Sequence, residues 1–371
     1  MLAVLTMVKN EEASIGVTVR SIVGYFDTLI VYDTGSTDRT VTIIQDICKT
    51  NGIRLYLKTG EFTTFPESRN VALEFAETVP VQYLVLMDAG DEFRTHMTKD
   101  EFERCFLQFP PKQQLGRRYG LGTVTQKWLA KGNIEDHLDV RVIRNEMDYR
   151  YDPVFPVHER ISTTDADTIC DFSTVICLYQ DRDKYGQNTK QRYRQDIELL
   201  EKAEPNKRNL YFLAQSYMSI DDYENGYRCN RLSAEVPGVE VSMNESVTYL
   251  RAGFCAIMTK MPKKIVFDML KRSMEFDDHP IDPYIYIFRY CIERGTAEEA
   301  LPYIDAAMKK DKNTKTLINH YFYDYSRWNL ISIVCLMANQ RLETGYECIQ
   351  KIIHLQQPVD VQNMRLYQTL R

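Results

Sequence analysis

Four short apolar runs near the start of the chain each end in polar side chains able to do chemistry. Lys9-Asn10-Glu11-Glu12 follows Leu2–Val8, and Asp33-Thr34-Gly35-Ser36-Thr37-Asp38 follows Thr28–Tyr32. Gly60-Glu61 comes soon after Ile53–Leu57, and Asp88-Ala89-Gly90-Asp91-Glu92 follows Tyr83–Met87. In open α/β sheets, ligands bind outside the carboxyl ends of the strands, so four such clusters describe one site. The last cluster is the most telling. Asp88, Asp91 and Glu92 fall within five residues and repel one another unless they are solvated or hold a cation. Hard oxygen ligands at a strand end suit Mg²⁺ or Mn²⁺ bridging phosphates. The Asp33–Asp38 stretch has a plainer reading beside the chemical one, as a turn with Ser36 or Thr37 capping the next helix.

The elements that position these clusters follow from periodicity. Helical spacing over Ala13–Tyr25, Arg39–Thr50 and Glu67–Thr78 alternates with the four apolar runs, which implies crossovers and a largely parallel sheet. Leu121–Thr125, Val140–Ile143 and Val175–Tyr179 read as further strands among polar, loop-rich stretches. The polar segment Asp181–Thr189 reads as a boundary, giving an α/β domain over 1–185 and a helical domain over 186–371. In the second part, helical patterns run over Arg192–Ala203, Leu210–Met218, Glu224–Glu235, Val247–Thr259, Lys264–Phe276, Tyr284–Ile292, Ala297–Lys309, Ile331–Asn339 and Thr344–Ile353. Aromatic-led segments at Tyr211, Tyr249, Tyr284 and Tyr321 recur every 35–38 residues. The segment from Leu210 to Tyr217, with Asp222-Tyr223 after it, resembles the first helix and turn of a tetratricopeptide repeat, whose period is about 34 residues. Stacked helical hairpins of a short solenoid are therefore expected, with Gly226, Ala300 and Gly345 where close packing needs small residues. The tyrosines invite a sugar-stacking role, but core packing is the expectation for Tyr211, Tyr217, Tyr249, Tyr284 and Tyr321.

Composition narrows the function classes. The 371 residues carry 46 Lys and Arg against 52 Asp and Glu, a net charge of −6, so no basic footprint for nucleic acid exists at whole-chain level. Nine cysteines without a CxxC pair are expected as reduced thiols in a cytoplasmic protein. Leu2–Val8 is too short for a signal peptide, and no apolar run is long enough for a transmembrane segment.

Six motifs, VKNEE, YDTGSTDRT, FPESRNVAL, YLVLMDAGDEF, RVIR and PVHERI, occur in this order. Together they resemble a family 2 glycosyltransferase with the GT-A fold, and specifically members with a C-terminal tetratricopeptide-like region. The resemblance covers about residues 1–180, and the helical remainder matches the appended region. It implies a nucleotide-sugar donor, a UDP-sugar first, and a metal-dependent transfer of a hexose. On it, Asn10, Glu11 and Asp33 lie around base and ribose, with Asp33 accepting a uracil N–H. Arg69 and Asn70 lie near base and diphosphate, and Arg141 and Arg144 near the diphosphate. Asp88 and Asp91 match the acidic metal motif, and His158 the histidine that completes the shell of a divalent ion (Mn²⁺ or Mg²⁺). One departure matters. Many relatives carry a carboxylate at the position of Gly90, so either Asp91 holds the metal while Asp88 contacts the ribose, or metal affinity is weakened. The first option is favoured.

The family inverts the anomeric centre by one in-line displacement, which requires a carboxylate to deprotonate the acceptor. Asp136 is the first choice for this base, since it lies between the metal motif and the arginines, and Glu159 is the second. The acceptor is left open among a glycan, a peptide and a lipid-linked saccharide. The helical repeats are the expected place for acceptor, protein partner or a second copy of the chain. Three other classes bear on the same residues. Asp33-Thr34-Gly35 fits an aspartic protease signature, but no second copy exists and the flanking pattern is β/α. A nucleotidyltransferase would carry a Gly-rich phosphate loop after the first strand, and VKNEE is not one. The stronger alternative is a catalytically degenerate nucleotide-binding scaffold built on helical repeats, which Gly90 favours.

Overall fold

The computed structural model describes residues 2–130, 132–185, 189–237, 245–276, 280–311, 322–355 and 357–370. Tyr321 and part of the expected Asp181–Thr189 boundary lie outside these residues. The chain divides into two compact units, Met1–Gln195 and Asp196–Arg371.

The first unit opens with an alternation of β1 (Leu2–Val8), α1 (Ile15–Ser21), β2 (Thr28–Asp33), α2 (Thr40–Asn51), β3 (Arg54–Thr59), α3 (Phe65–Glu77) and β4 (Tyr83–Leu86). Then come β5 (Asp91–Arg94), α4 (Lys99–Leu107), β6 (Gln113–Gln114), β7 (Arg117–Ala130), β8 (Asn133–Arg144), β9 (Asp167–Asp171), β10 (Cys177–Asp181) and the short α5 (Arg182–Tyr185). All ten strands join one mixed sheet in the order β3-β2-β1-β4-β8-β7-β10-β5, with β6 and β9 paired to β7. Strands β1–β4 are parallel to one another, and β8 runs antiparallel to β4. The chain winds outward from β1 through β2 to β3, then returns to β1's other side with β4. The crevice between the carboxyl ends of β1 and β4 is thus the topological switch point, where ligands of such sheets bind.

Burial explains why these runs are strands. Every residue of β2 and β4 is buried, as expected of strands covered on both faces. One apolar cluster (Val4, Val19, Ile22, Phe26, Ile44, Phe102, Phe106, Val124) packs α1, α2 and α4, and another (Ala3, Leu5, Ile30, Ala72, Leu73, Leu84, Tyr149) packs α3.

Four local expectations are corrected. The helix expected over Ala13–Tyr25 spans only Ile15–Ser21. The expected strands Leu121–Thr125 and Val140–Ile143 are parts of the much longer β7 and β8. Neither Ser36 nor Thr37 caps α2: Ser36 Oγ donates to Asp33, and Asp38 instead accepts the Thr40 N–H. Finally, β5 forms inside the acidic cluster itself, so Asp91 begins a strand rather than lying in a loop.

The second unit is helical. It comprises the second half of α6 (Thr189–Lys202), then α7 (Lys207–Ser219), α8 (Tyr223–Glu235), α9 (Glu245–Met258), α10 (Lys263–Met274), α11 (Asp282–Glu293), α12 (Ile304–Lys309), α13 (Arg327–Ala338), α14 (Leu342–Ile352) and α15 (Pro358–Leu370). Helices α7 to α11 each pack on the next in sequence, as do α13, α14 and α15. The small residues sit where they are needed. A Cβ on Gly226 would lie 2.9 Å from Met218 Cγ, one on Gly345 would overlap the Tyr367 hydroxyl, and Ala300 is wholly buried. The helix expected over Ala297–Lys309 is broken: Ala297–Tyr303 is a 3-10 segment containing Pro302, which lacks the N–H an α-helix needs. Tyr217, Tyr249 and Tyr284 are core residues as expected, whereas Tyr211 is half-buried beneath the Arg251 guanidinium.

Candidate functional site

The switch point is organised around Asp88, which directly follows Met87 at the end of the β4 apolar run. Its two carboxylate oxygens are split between two arginines. Arg69 Nη2 donates to Oδ1 at 2.9 Å, and Arg141 Nη1 donates to Oδ2 at 3.0 Å. Arg69 also pairs through Nε with Glu159, and Arg141 through Nε with Asp139 at 2.8 Å. Two guanidinium groups on one carboxylate hold the Asp88 carboxyl far below the usual carboxylate range despite its desolvation. Arg69 reaches in from α3, whose first turn is secured by Thr64 accepting the Glu67 N–H. Arg141 arrives by a bulge. Leu121 and Gly122 pair with Ile143 and Val142, but Thr123 pairs with Val140, so Arg141 is the extra residue of β8. A bulge re-aims a side chain out of the regular alternation, and this one aims a cation at the strand end.

Beneath Asp88 lies Asp91, 1% exposed. Its Oδ2 accepts the Asp88 backbone N–H at 2.8 Å, and its Oδ1 accepts Gln126 Nε2 at 3.1 Å. Burial, with the Asp88 charge second, pushes its carboxyl up to about 6. The turn between the two carboxylates closes with Asp91 N–H donating to the Asp88 carbonyl, and Gly90 occupies it at φ +94°. A Cβ there would meet only ordinary contacts at 3.5–3.6 Å, so the backbone conformation, not space, calls for glycine. This accounts for the absent carboxylate at position 90.

The loops after β1 and β2 are stitched to each other. Asn10 N–H donates to Ser36 Oγ, Glu11 N–H to Thr40 Oγ1 and Glu12 N–H to Asp38 Oδ2. In return, Asn10 Oδ1 accepts the Thr37 N–H at 2.8 Å. Asp33 is buried, and its oxygens take the Ser36 N–H and hydroxyl. Burial, joined by the charges of Asp88 and Asp38, raises the Glu11 carboxyl, so this loop is electrostatically part of the Asp88 neighbourhood.

The structure thus brings together Glu11, Arg69, Asp88, Asp91, Arg141 and Glu159. It does not bring in three expected members. Arg144 pairs in register with Tyr83, at the opposite end of β4 from Asp88. It donates to the Pro110 carbonyl, with its guanidinium 5.0 Å from both the Tyr83 and Phe109 rings. Asn70 spends its amide on the backbone of Tyr151, donating to the carbonyl and accepting the N–H. Asp136 is exposed on β8 opposite Lys127. Side chains alternate along a strand, and His137, one residue on, pairs with Gln126, which reaches Asp91. Asp136 therefore lies on the face turned away from Asp91. Asp139, on the facing side, went unnamed in the sequence. The signal that could have found it is its place two residues before Arg141. His158, next to Glu159, holds a left-handed φ of +50°, the kind of outlier that clusters at functional sites.

The donor set does not fit a divalent ion in the expected way. Asp91 is closed off with a donor on each oxygen, Asp88 carries an arginine on each oxygen, and Gly90 offers no ligand. Among the described residues, no three His, Cys, Asp or Glu side chains gather as a metal site.

Comparison with known proteins gives this geometry its context. Residues 3–103 match the Glycosyl transferase family 2 model. Over that stretch the chain matches a family 2 glycosyltransferase domain. Asp88, Asp91 and Arg69 fall inside the matched stretch, and the second arginine on Asp88 lies beyond it. No curated protein matches the chain. Among solved structures, Staphylococcus aureus TarS 1-349 in complex with UDP is similar at 11% identity and TM-score 0.35, over 99% of this chain and 89% of that one. MamA is similar at 14% identity and TM-score 0.35, over 45% of this chain and 84% of its own. YrrB, described as a TPR protein with an unusual peptide-binding site, is similar at 14% identity and TM-score 0.35, over 47% and 84%.

Proposed function

We propose that the chain transfers a hexose from a nucleotide-sugar donor, a UDP-sugar first, to a glycan, peptide or lipid-linked acceptor with inversion at the anomeric carbon. The observation that carries this reading is Asp88 held between Arg69 and Arg141 at the switch point of a sheet whose first half is a family 2 glycosyltransferase domain. Arg69 and Arg141, each ion-paired here with Asp88 and a second carboxylate, bring to the strand end the guanidinium groups that a departing nucleoside diphosphate would draw on. The stitched loops after β1 and β2 present Asn10 and Glu11 to the nucleoside.

We assign acceptor or partner binding to the helical unit, because stacked hairpins offer extended concave surfaces. The chain is read as cytoplasmic, supported by nine free cysteines. Among the described residues, no helix is long and apolar enough to cross a membrane.

A thermal-shift screen over UDP-, GDP- and TDP-sugars, with Mn²⁺ or with EDTA, tests the reading. One donor should raise the apparent stability, by linkage to the folded state, and should then release nucleotide on incubation. A chain stabilised by none of them is not a nucleotide-sugar enzyme. Gly90 favours one second reading, a scaffold that binds nucleotide without turnover. Stabilisation without nucleotide release would select it.

A further inference from the structure

Among the described side chains of strand β8, Asp136, His137 and Asp139 lie close together, and only two of them face the site. Register pairs Asp136 with Lys127, His137 with Gln126 and Asp139 with Val124, without interruption. Gln126 reaches down to Asp91, which fixes the facing side, and His137 and Asp139 share it while Asp136 does not. Asp139 Oδ2 accepts Arg141 Nε at 2.8 Å, and the same guanidinium donates through Nη1 to Asp88 at 3.0 Å. Asp139 therefore stands one guanidinium away from the carboxylate that marks the donor site. Its side chain is 40% exposed, against 12% for Glu159, so an acceptor can reach it from solvent. Its other oxygen, Oδ1, has no hydrogen-bond partner among the described residues.

Resting on the glycosyltransferase reading, we propose that Asp139, in place of Asp136 or Glu159, is the general base of the transfer. Oδ1 takes the acceptor hydroxyl's proton as that oxygen bonds to the sugar's anomeric carbon. The bond from that carbon to the diphosphate oxygen breaks, and its electron pair leaves with the nucleoside diphosphate. The neutral Asp139 acid then returns its proton to solvent. Arg141 has two tasks in this scheme: Nε orients the base, and Nη1 holds the Asp88 carboxylate at the donor site. The bulge at Arg141 is what lets one side chain reach both carboxylates.

The test uses the full chain, with water as acceptor, and the nucleotide sugar that gives the largest thermal shift. Nucleotide release is followed for wild type, Asp139→Asn, Asp139→Glu, Asp136→Asn and Glu159→Gln, beside calorimetric titration with UDP. Asp139→Asn should lower kcat about 10²- to 10⁴-fold and keep the UDP Kd near wild type. Asp139→Glu should recover part of the rate, and Asp136→Asn should behave as wild type. A wild-type rate in Asp139→Asn overturns the assignment, as does a rate loss matched by lost UDP affinity, which would make Asp139 only an orienting partner of Arg141. A larger loss in Asp136→Asn or in Glu159→Gln moves the base there. If wild type itself neither binds UDP nor releases nucleotide from any donor, the glycosyltransferase reading fails and the base assignment falls with it.

Discussion

Arg141 and Arg144 lie three residues apart on one strand, yet they serve opposite ends of the sheet. Arg141, displaced by a bulge, meets Asp88 at the carboxyl end of β4 and shares Asp139. Arg144, back in regular register, lies across from Tyr83 at the other end, between two aromatic rings and a carbonyl. One end collects carboxylates and cations that press on one another's ionisation, while at the other Arg144 is satisfied by π faces and backbone. The difference shows that residue type and proximity in sequence do not decide function here. One extra residue in a ladder does.

The contrast can be broken most directly by removing each arginine. Arg141→Ala should lower donor turnover by about 10²–10³-fold, the usual loss of one preorganised cationic or hydrogen-bonding group. Arg144→Ala should leave turnover near wild type but cost about 1–2 kcal/mol of stability, through its lost ring and carbonyl contacts. Denaturant titration beside nucleotide-release assays separates the two, and similar activity losses in both variants would erase the distinction. Asn70→Ala sharpens the same line from α3. Losing two hydrogen bonds to the Tyr151 backbone should cost about 1–3 kcal/mol while UDP affinity, read by calorimetry, is retained.

Gly90→Asp probes whether the active end was ever closed to metal. Forcing a side chain at φ +94° should cost about 1 kcal/mol or more, and the variant should gain Mn²⁺-dependent stabilisation that wild type lacks. Equal Mn²⁺ shifts in both proteins would count against the fit drawn from Asp88 and Asp91. The smallest expected effect lies in the pH dependence. Burial and Asp88 raise the Asp91 carboxyl to about 6, above its unfolded value of roughly 4. Folding thus favours the protonated form. The stability this group contributes is complete below about pH 4 and is lost as pH rises through about 6. Asp91→Asn should flatten that part of the stability profile in thermal melts.

Much of the active end was legible in the sequence. Buried parallel strands advertise themselves as apolar runs, and the polar residues at their carboxyl ends named Asp88, Asp91 and Glu11 directly. What escaped was set by geometry that composition does not encode. The outer part of β8 begins Asn133-Ile134-Glu135-Asp136, with Ile134 65% and Leu138 61% exposed, so no buried face wrote a period of two. Without that strand the alternation separating Asp136 from Asp139 could not be applied, nor the bulge at Arg141 inferred. The last helix, α15, went unread for the converse reason. It buries Asp360, Asn363 and Tyr367 while exposing Val359, Leu366 and Leu370, which inverts the pattern by which helices are recognised.

The stitching of the first two loops has a consequence for solvent exchange. Three successive backbone amides, those of Asn10, Glu11 and Glu12, are held by side chains of Ser36, Thr40 and Asp38 and not by backbone carbonyls. Their protons can be traded for deuterium only when both loops part, so the pair should open as one cooperative unit of local unfolding. A nucleoside settling against Asn10 would slow the uptake of label at both loops together, and deuterium uptake would then report occupancy without any knowledge of the acceptor.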